Sequence, residues 1–533
     1  MSGIIQINNQ PASKRGQVKL QLIFEEDLKK NSPTLKNFQE KIKREDFKAK
    51  ENEQLIIENQ EGFQLLVFIG AGKQKEFNLI KYKNFLADGF RIVTSRKFSE
   101  VVLIHHFVCN KDYFNLGKVI NLALDLSNYR FLKHKNKKFQ EKDIIIKQLN
   151  YYYEGINSKD QKTLEQGIEA GQLISTGVNL TRDLVNEPAS HQHPDDMVDQ
   201  ANIIAKESDG KITIEVLNEQ ECKKLAMGAF LAVAKGSDRP AKFIILKYFP
   251  QRHSGKRVVA SASRINVDSG QVFRQAQDTE QSRSARMTDK SKTICLIGKS
   301  IIFDSGGLSL KPSDSMMDMK IDMAGGATVL GIFKVLSKLD NIKHIIYGIL
   351  PVCENMPSGK AMRPGDIATA MNGKTIEILN TDAEGRLTLA DALSYAEKKL
   401  APDLIIDLAT LTGACMVALG KEITGMLGNQ EVGLKLLENS TKNTGEQLWR
   451  LPMYKRYLKK MTNGIADLKN VGGGRWGGTI TAALFLNEFV EKTTWVHLDI
   501  AGSAYNDENS YAVISKGGTG WGVETLVELI KNY

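Results

Sequence analysis

Four carboxylates in the middle of the chain are placed so that they could share a metal. Asp304 lies in GKSIIFDSGG, five residues after Lys299 and just beyond the apolar run TICLIG; Asp382 and Glu384 lie in NTDAEGR, just beyond KTIEIL. Asp322 falls inside MMDMKIDMAGGATVLGIF, which reads as a helix. Both acid-bearing loops follow β-rich runs, so they belong where parallel strands end, and the helix brings Asp322 to the same crevice from a third element. Carboxylates gathered in a dry cleft repel one another and lose hydration, a cost that is removed when they bind hard divalent cations. Taken singly, each acid has a plainer explanation, because acids after strands cap helices and shape turns. The convergence of all four is what argues for metal.

Positioning such loops takes a sheet. After Pro188 the chain alternates β-rich apolar runs with helical ones: KFIILKYF, TICLIGKSIIF, KHIIYGILPV, KTIEIL, a helix over 386–400, DLIIDLATL and WVHLDIAG. This alternation predicts an α/β fold with crossover units on a mostly parallel sheet flanked by helices on both faces. Ahead of it, residues 1–160 mix Lys-rich polar segments with short apolar runs such as FQLLVFIG (63–70) and FRIVTSRKFSEVVLIHHFV (90–108), the pattern of a smaller N-terminal α/β domain. The segment KTLEQGIEAGQLISTGVNLTRDLVNE carries apolar residues at helical spacing and stops at Pro188, as a connecting helix over 161–188 would. The larger catalytic domain is then 189–533. Within it, 251–292 turns abruptly to Ser, Arg, Gln and Asp where the rest of the chain prefers Lys, and reads as an exposed, mobile insertion.

Bulk properties narrow the classes of function. At 533 residues and 42% hydrophobic content the chain exceeds what one core usually serves. No run of about 18 apolar residues occurs, so no membrane span is expected. The opening MSGIIQINNQPASKRGQVKL lacks the apolar block of a secretory signal. It has no acid before Glu25, as transit peptides do not, but its single Arg fits an ordinary polar start, and the protein reads as cytoplasmic. Lys plus Arg exceed Asp plus Glu by 72 to 62 and the pI is near 9.0. Spread over so long a chain this mostly serves solubility, which leaves nucleic-acid binding a minor reading focused on the Arg-rich insertion. The five cysteines (Cys109, Cys222, Cys295, Cys353, Cys415) are scattered and never form CxxC; neither a disulfide framework nor a zinc–thiolate site is indicated, and a reducing compartment fits.

Other motifs invite chemistry without supporting it. Gly298-Lys299-Ser300 resembles the end of a phosphate-binding loop, but Thr293 stands where that motif needs Gly. Gly472, Gly474 and Gly477 satisfy GxGxxG, yet the preceding residues make a poor strand and no ribose-binding acid follows at the right distance. His191 and His193 lack the spacing of a helical HExxH, and Pro194 points to a loop. Ser305 lacks the GxSxG elbow of a serine hydrolase.

The acid-bearing segments GKSIIFDSGGLSLKP, the Asp322 helix and NTDAEGRL together resemble the leucyl (cytosol) aminopeptidases, two-metal exopeptidases. The resemblance extends through TRDLVNEP (181–188), DLATLTGA (407–414), ADLKNVGGGRWGG (466–478) and HLDIAG (497–502), covering most of residues 165–533. It implies that Asp304 and Glu384 bridge two divalent ions (manganese or zinc), that Lys299 and Asp322 complete the tighter site, and that Asp382 completes the more exchangeable one. A lysine ligates only as the neutral amine, which desolvation and two adjacent cations would enforce. By the same resemblance Lys311 stabilises the oxyanion, Arg386 and Leu411 hold a bicarbonate that accepts the proton from the attacking water, and Met319, Thr410, Gly413 and Ala501 line a pocket for a leucine-like first residue. The implied substrates are peptides with a free N-terminus, and the implied assembly is a homohexamer.

One departure stands out: Ser300 follows Lys299 where the family usually has Gly. If that position needs positive φ, a serine costs about 1 kcal/mol and shifts Lys299. A rival reading from another class, a structural or nucleic-acid-binding member of the family, gives no chemical reason to keep Lys299, Asp304, Lys311, Asp322, Asp382, Glu384 and Arg386 together.

Overall fold

The computed structural model describes residues 3–8, 18–29, 33–105, 112–250, 291–474 and 476–533. The insertion at 251–292 falls outside the described residues except for its last two, as do most of the opening residues and Cys109.

The first third builds a six-stranded sheet from β1 (Ile4–Asn8), β2 (Val18–Ile23), β3 (Gln54–Gln60), β4 (Phe63–Gly70), β5 (Glu100–His105) and β6 (Gln148–Tyr153), in the order β1-β6-β5-β2-β4-β3. Every pairing is parallel except β3 with β4. Those two strands are joined by Glu61 and Gly62, both at positive φ, the two-residue hairpin turn whose twist matches its strands. The apolar run 90–108 divides between two elements: FRIVTS closes the helix Leu79–Ser95, and EVVLIH forms β5. Asn78 caps that helix by accepting from Lys81 N at 2.9 Å, which sets the helical period through the run.

The second sheet has nine strands: β7 (Ile212–Leu217), β8 (Lys242–Tyr248), β9 (Thr293–Gly298), β10 (Ser300–Asp304), β11 (Ile345–Asn355), β14 (Leu404–Ala409), β15 (Thr424–Gly428), β16 (Leu448–Arg450) and β18 (Thr494–Asp499). Their order is β16-β15-β18-β14-β9-β11-β8-β7, with β10 beside β11. From β18 through β14 and β9 to β11 neighbours are parallel, while β15 and β8 run antiparallel to the strands inside them. The central strands TICLIG and LIIDLA are buried almost end to end, which is why they are continuously apolar rather than alternating. This is the predicted two-domain α/β architecture.

KTIEIL departs from the expectation. Only Thr375–Glu377 (β13) is strand, and it pairs with β12 (Ile367–Thr369) and β17 (Leu468–Lys469) in a separate three-stranded sheet. Gly373, at φ 97°, makes the tight turn that folds β13 back on β12, so this run never crosses to the main sheet.

Between the sheets runs the helix Ser158–Asn186, capped by Asn157, which accepts from Asp160 N at 2.9 Å. Glycines bring it against its neighbours. A Cβ on Gly167 would lie 2.0 Å from Phe114 O of the helix Tyr113–Asn128, and one on Gly177 would lie 2.4 Å from Gly331 O of the helix Ala324–Leu336. Arg182, 1% exposed, fastens the same junction by donating to Leu126 O (3.1 Å), Thr519 O (2.9 Å) and Val513 O (2.7 Å).

This packing reverses the sign of a familiar substitution. Gly→Ala inside an exposed helix stabilises by about 1 kcal/mol, whereas Gly167→Ala should destabilise by about 1–3 kcal/mol, because the added methyl meets a backbone carbonyl that cannot retreat. Calorimetric unfolding checks this; a raised melting temperature would show that the two helices are not in contact there.

Candidate metal centre

The site is assembled where the main sheet's parallel strands end. Lys299 sits between β9 and β10, held by Lys299 N donating to Leu408 O (2.9 Å) and Lys299 O accepting from Gly326 N (2.8 Å). Asp304 closes β10, and Gly306 at φ 85° then reverses the chain, so that Lys311 returns over the acid it follows. Asp322 is not inside one long helix: it lies on a short 3-10 turn, Met319–Met323, that precedes the helix Ala324–Leu336. Asp382 and Glu384 occupy the loop between β13 and the helix Gly385–Tyr395. Gly385 must lack a side chain, because a Cβ there would lie 2.4 Å from Lys299 Cε.

These elements bring the six charged groups together. Lys299 Nζ lies 2.8 Å from Asp322 Oδ1 and 2.8 Å from Glu384 Oε1. Lys311 Nζ lies 2.9 Å from Asp304 Oδ2 and also contacts Asp382 Oδ1. Asp304, Asp322 and Glu384 each present an oxygen within 4.8 Å of the others, and all three are buried. Four carboxylates against two ammonium groups leave the ionised cluster two negative charges from neutrality. Among the described residues Glu384 Oε2 and Asp322 Oδ2 are buried with no hydrogen-bond partner, and Glu384 Oε1 has only the Lys299 ammonium. Unsatisfied buried carboxylate oxygens are costly, and oxygen-seeking divalent cations satisfy them. The donor set therefore fits such ions.

The electrostatics report the same crowding. Burial, with Glu384 and Asp304 adding like charge, pushes Asp322 well above the usual carboxylate range despite Lys299. Burial and then Glu384 push Asp304 up, and burial pushes Asp382 up against the pull of Lys311. Burial alone would lower Lys299, but Asp322, Glu384 and Asp304 overcome it and hold its ammonium above the ordinary lysine value.

Asn355, Thr381, Asn470 and Asp499, given no role by the sequence analysis, hold this arrangement. Asn355, at the end of β11, donates from Nδ2 to Asp304 Oδ1 (2.8 Å) and Thr381 O (3.0 Å). Thr381 Oγ1 donates to Gly306 O (2.6 Å), stitching the two acid loops together. Asn470 O accepts from Arg386 Nη1 (2.7 Å), and Asn470 Oδ1 accepts from Leu379 N (2.9 Å). Asp499 Oδ1 accepts from Leu411 N and Ala501 N, each at 3.2 Å, and its Oδ2 accepts from Thr412 Oγ1 (2.6 Å). The only sequence signal for them is their position just past strands, within or beside the quoted motifs.

The remaining expected residues fall around this core. Thr410 donates from Oγ1 to Asp322 Oδ1 (2.8 Å), and its carbonyl accepts from Lys299 Nζ (3.2 Å). Met319 opens the turn that carries Asp322. Gly413 begins the helix Gly413–Leu419, and Ala501 and Leu411 share the Asp499 carboxylate. Arg386 is buried, its Nε has no partner among the described residues, and burial draws its pKa down to about 10. Ser300 corrects the concern about backbone strain: its φ is not positive, and its hydroxyl donates to Gly298 O (2.9 Å). That hydroxyl fills the space where a Cβ on Gly326 would come within 2.1 Å. His193 precedes the helix Pro194–Glu207, its backbone N donating to Asp196 Oδ2 (2.6 Å). Gly477 lies against the Tyr457 ring.

Comparison with known proteins gives a consistent pattern. Residues 179–273 and 279–527 match the Cytosol aminopeptidase family, catalytic domain, and residues 26–138 match the same family's N-terminal domain. The chain is 38% identical over 517 residues to a probable cytosol aminopeptidase of Aquifex aeolicus, covering 95% of this chain and 94% of that one. It is 36% identical over 497 residues to the counterpart from Alkaliphilus metalliredigens, covering 93% and 91%. Among solved structures, a mutant of tomato leucine aminopeptidase superposes with a TM-score of 0.83 at 30% identity, over 100% of this chain and 97% of that one. The bottromycin maturation enzyme BotP in complex with Mn gives 0.78 at 27% identity, over 97% and 99%.

If excess negative charge is the dominant cost of the cluster, Glu384→Gln should leave the metal-free protein at least as stable as the parent. The same substitution should abolish the stabilisation by added manganese, which for the parent reaches about 2.7 kcal/mol at a hundredfold excess over Kd. Thermal unfolding with and without metal tests both halves. A metal-free variant that melts well below the parent would show that Glu384 is held by protein contacts instead.

Proposed function

Because the chain belongs to the cytosol aminopeptidase family, whose members are metal-dependent aminopeptidases, we propose that it removes leucine-like residues from the free N-termini of peptides at a centre of two divalent ions, manganese or zinc. The observation that carries the reading is the buried cluster of Asp304, Asp322 and Glu384 with half-buried Asp382 beside it, short of positive charge and with Glu384 Oε2 and Asp322 Oδ2 lacking a hydrogen-bond partner among the described residues. Asp304 and Glu384, placed at the middle of the cluster, would hold both ions, with Lys299 and Asp322 on one side and Asp382 on the other. The division into 1–160, 161–188 and 189–533 belongs to the same reading and is supported by the helix Ser158–Asn186 between the two sheets.

Divalent ions held there would supply Lewis acidity, lowering the pKa of a water, polarising the scissile carbonyl and attracting an unprotonated α-amine. The chain's own groups do the rest. Lys299 serves as a ligand only after surrendering the proton that Asp322, Glu384 and Asp304 now help it keep. Lys311, no longer needed to neutralise Asp304 and Asp382, turns its ammonium toward the carbonyl oxygen as charge develops there. Arg386, anchored through Nη1 on Asn470 O and with Nε unpartnered among the described residues, would with the Leu411 segment hold a bicarbonate able to accept a proton. Met319, Thr410, Gly413 and Ala501 receive the first side chain, and Asp499 sets two of the segments they lie on.

A homohexamer in the cytoplasm completes the proposal. No helix among the described residues is long and apolar enough to cross a membrane. Val417 is 90% exposed, beside Gly413 on one short helix, an apolar surface that a subunit contact would cover.

Stripping metal should abolish hydrolysis of an N-terminal leucine reporter, and readdition of manganese or zinc should restore it. Inactivity with every divalent metal would sink the enzymatic reading. Acetylating the substrate's α-amine should reduce turnover at least a hundredfold, since losing that anchor costs about 3 kcal/mol or more of transition-state binding; efficient cleavage of the blocked peptide would instead indicate an endopeptidase. Light scattering should give about six times the 59.3 kDa chain mass, and a monomer would refute the assembly.

A further inference from the structure

Beside the catalytic loops stands a short turn whose charges the proposed chemistry does not use. Residues 454–460 read YKRYLKK, and Lys455–Lys460 forms one 3-10 turn in which Lys455, Arg456, Lys459 and Lys460 are all exposed. Several other cations around the cleft are spent among the described residues. Lys311 is held by Asp304 and Asp382, Lys320 donates to Asn186 O, Lys374 contacts Glu488, Lys421 pairs with Asp507, and Arg450 pairs with Glu431. Lys455, Arg456 and Lys459 have no acidic partner among the described residues, and Lys460 lies over the Tyr457 ring at 4.9 Å. Four cations so close together raise the local positive potential, and nothing on the turn offsets it.

The turn is joined to the site by a short run of contacts. Met461 O accepts from Lys469 N (2.7 Å), and the next residue, Asn470, holds both Arg386 and the approach to Asp382. Tyr457 abuts Gly477, where a Cβ would come within 3.1 Å of its ring. Gly478 in turn abuts Ala414, the neighbour of Gly413. Tyr454, 50% exposed, packs edge-on against Tyr457 at 5.1 Å, so the cations are flanked by aromatic surface.

We propose that this turn is an outer subsite for the downstream part of peptide substrates, selecting those with acidic residues beyond the cleaved bond. The inference rests on the aminopeptidase reading and adds a substrate class to it. A peptide extends by about 3.3 Å per residue from a fixed N-terminus, so its tail must leave the cleft over a rim. A rim carrying unpaired cations and tyrosines complements carboxylates on an extended backbone. The same charges could attract nucleic acid, but their tie to the Asn470 and Gly478 contacts favours the substrate.

The test compares two isosteric peptides, Leu-Gly-Asp-Glu-Asp-amide and Leu-Gly-Asn-Gln-Asn-amide, on the metal-loaded protein. At low salt the acidic peptide should show kcat/KM about five- to tenfold higher, through KM, as two or three exposed ion pairs give. The ratio should fall toward one in about 0.5 M salt, and also in the variant Lys455→Ser, Arg456→Ser, Lys459→Ser, Lys460→Ser. A ratio near one in the unmodified protein, or one that survives in the variant, would overturn the subsite. If the substitutions abolished binding of a short oligonucleotide while the ratio stayed at one throughout, the patch would be a nucleic-acid surface. If neither peptide were cleaved with any metal, the aminopeptidase reading itself would fail and the subsite with it. Should the variant fold poorly, the salt series on the unmodified protein decides alone.

Discussion

Four carboxylates, three buried and one half-buried, held against two ammonium groups are the constraint from which the rest of the catalytic half can be understood. Among the described residues Glu384 Oε2 and Asp322 Oδ2 have no hydrogen-bond partner. An ordinary core excludes such atoms, and their like charges repel. A fold that nevertheless keeps them together must hold the backbone at three separate loops rigidly, and it must leave the missing positive charge to be supplied from outside. Lys299 and Lys311 supply part of it within the chain, each contacting two acids.

The rigidity comes from strands and from close backbone approach. Parallel β9 and β14 deliver Lys299 and Thr410 side by side, and the missing Cβ of Gly385 leaves room for the Lys299 side chain. Amides and hydroxyls complete the support: Asn355 orients Asp304, Thr381 ties one acid loop to the other, and Asn470 fixes Arg386. Deeper still, Asp407 on β14 and His497 on β18 face each other in register, their side chains 2.6 Å apart, with Trp495 Nε1 donating to the same carboxylate at 2.7 Å. Burial works against a charged His497, but Asp407 holds its pKa above the usual histidine value. A polar tie thus lies beneath loops that must not move.

Much of this was legible in the sequence, because the chemistry-bearing residues are local to their loops. DSGG and NTDAEGR each carry acids on contiguous backbone just after strands, and central parallel strands announce themselves as unbroken apolar runs. What escaped is long-range. Nothing near Asn355 says that it will meet Asp304, 51 positions away, and Asn470 reaches Arg386 across 84. KTIEIL was legible as a strand but not as part of another sheet, since that depends on the turn at Gly373 rather than on its own pattern. Ser300 shows the opposite failure: a departure that suggested strain is absorbed by ordinary backbone and a hydrogen bond to Gly298 O.

The most direct test of the central claim is anomalous diffraction at the manganese edge from crystals of the intact protein soaked in manganese. Two peaks per chain about 3.5–4 Å apart, with Asp304 and Glu384 oxygens shared between them and Lys299, Asp322 and Asp382 completing the sets, are the expected result. An empty cluster, or manganese bound only elsewhere on the chain, would contradict it.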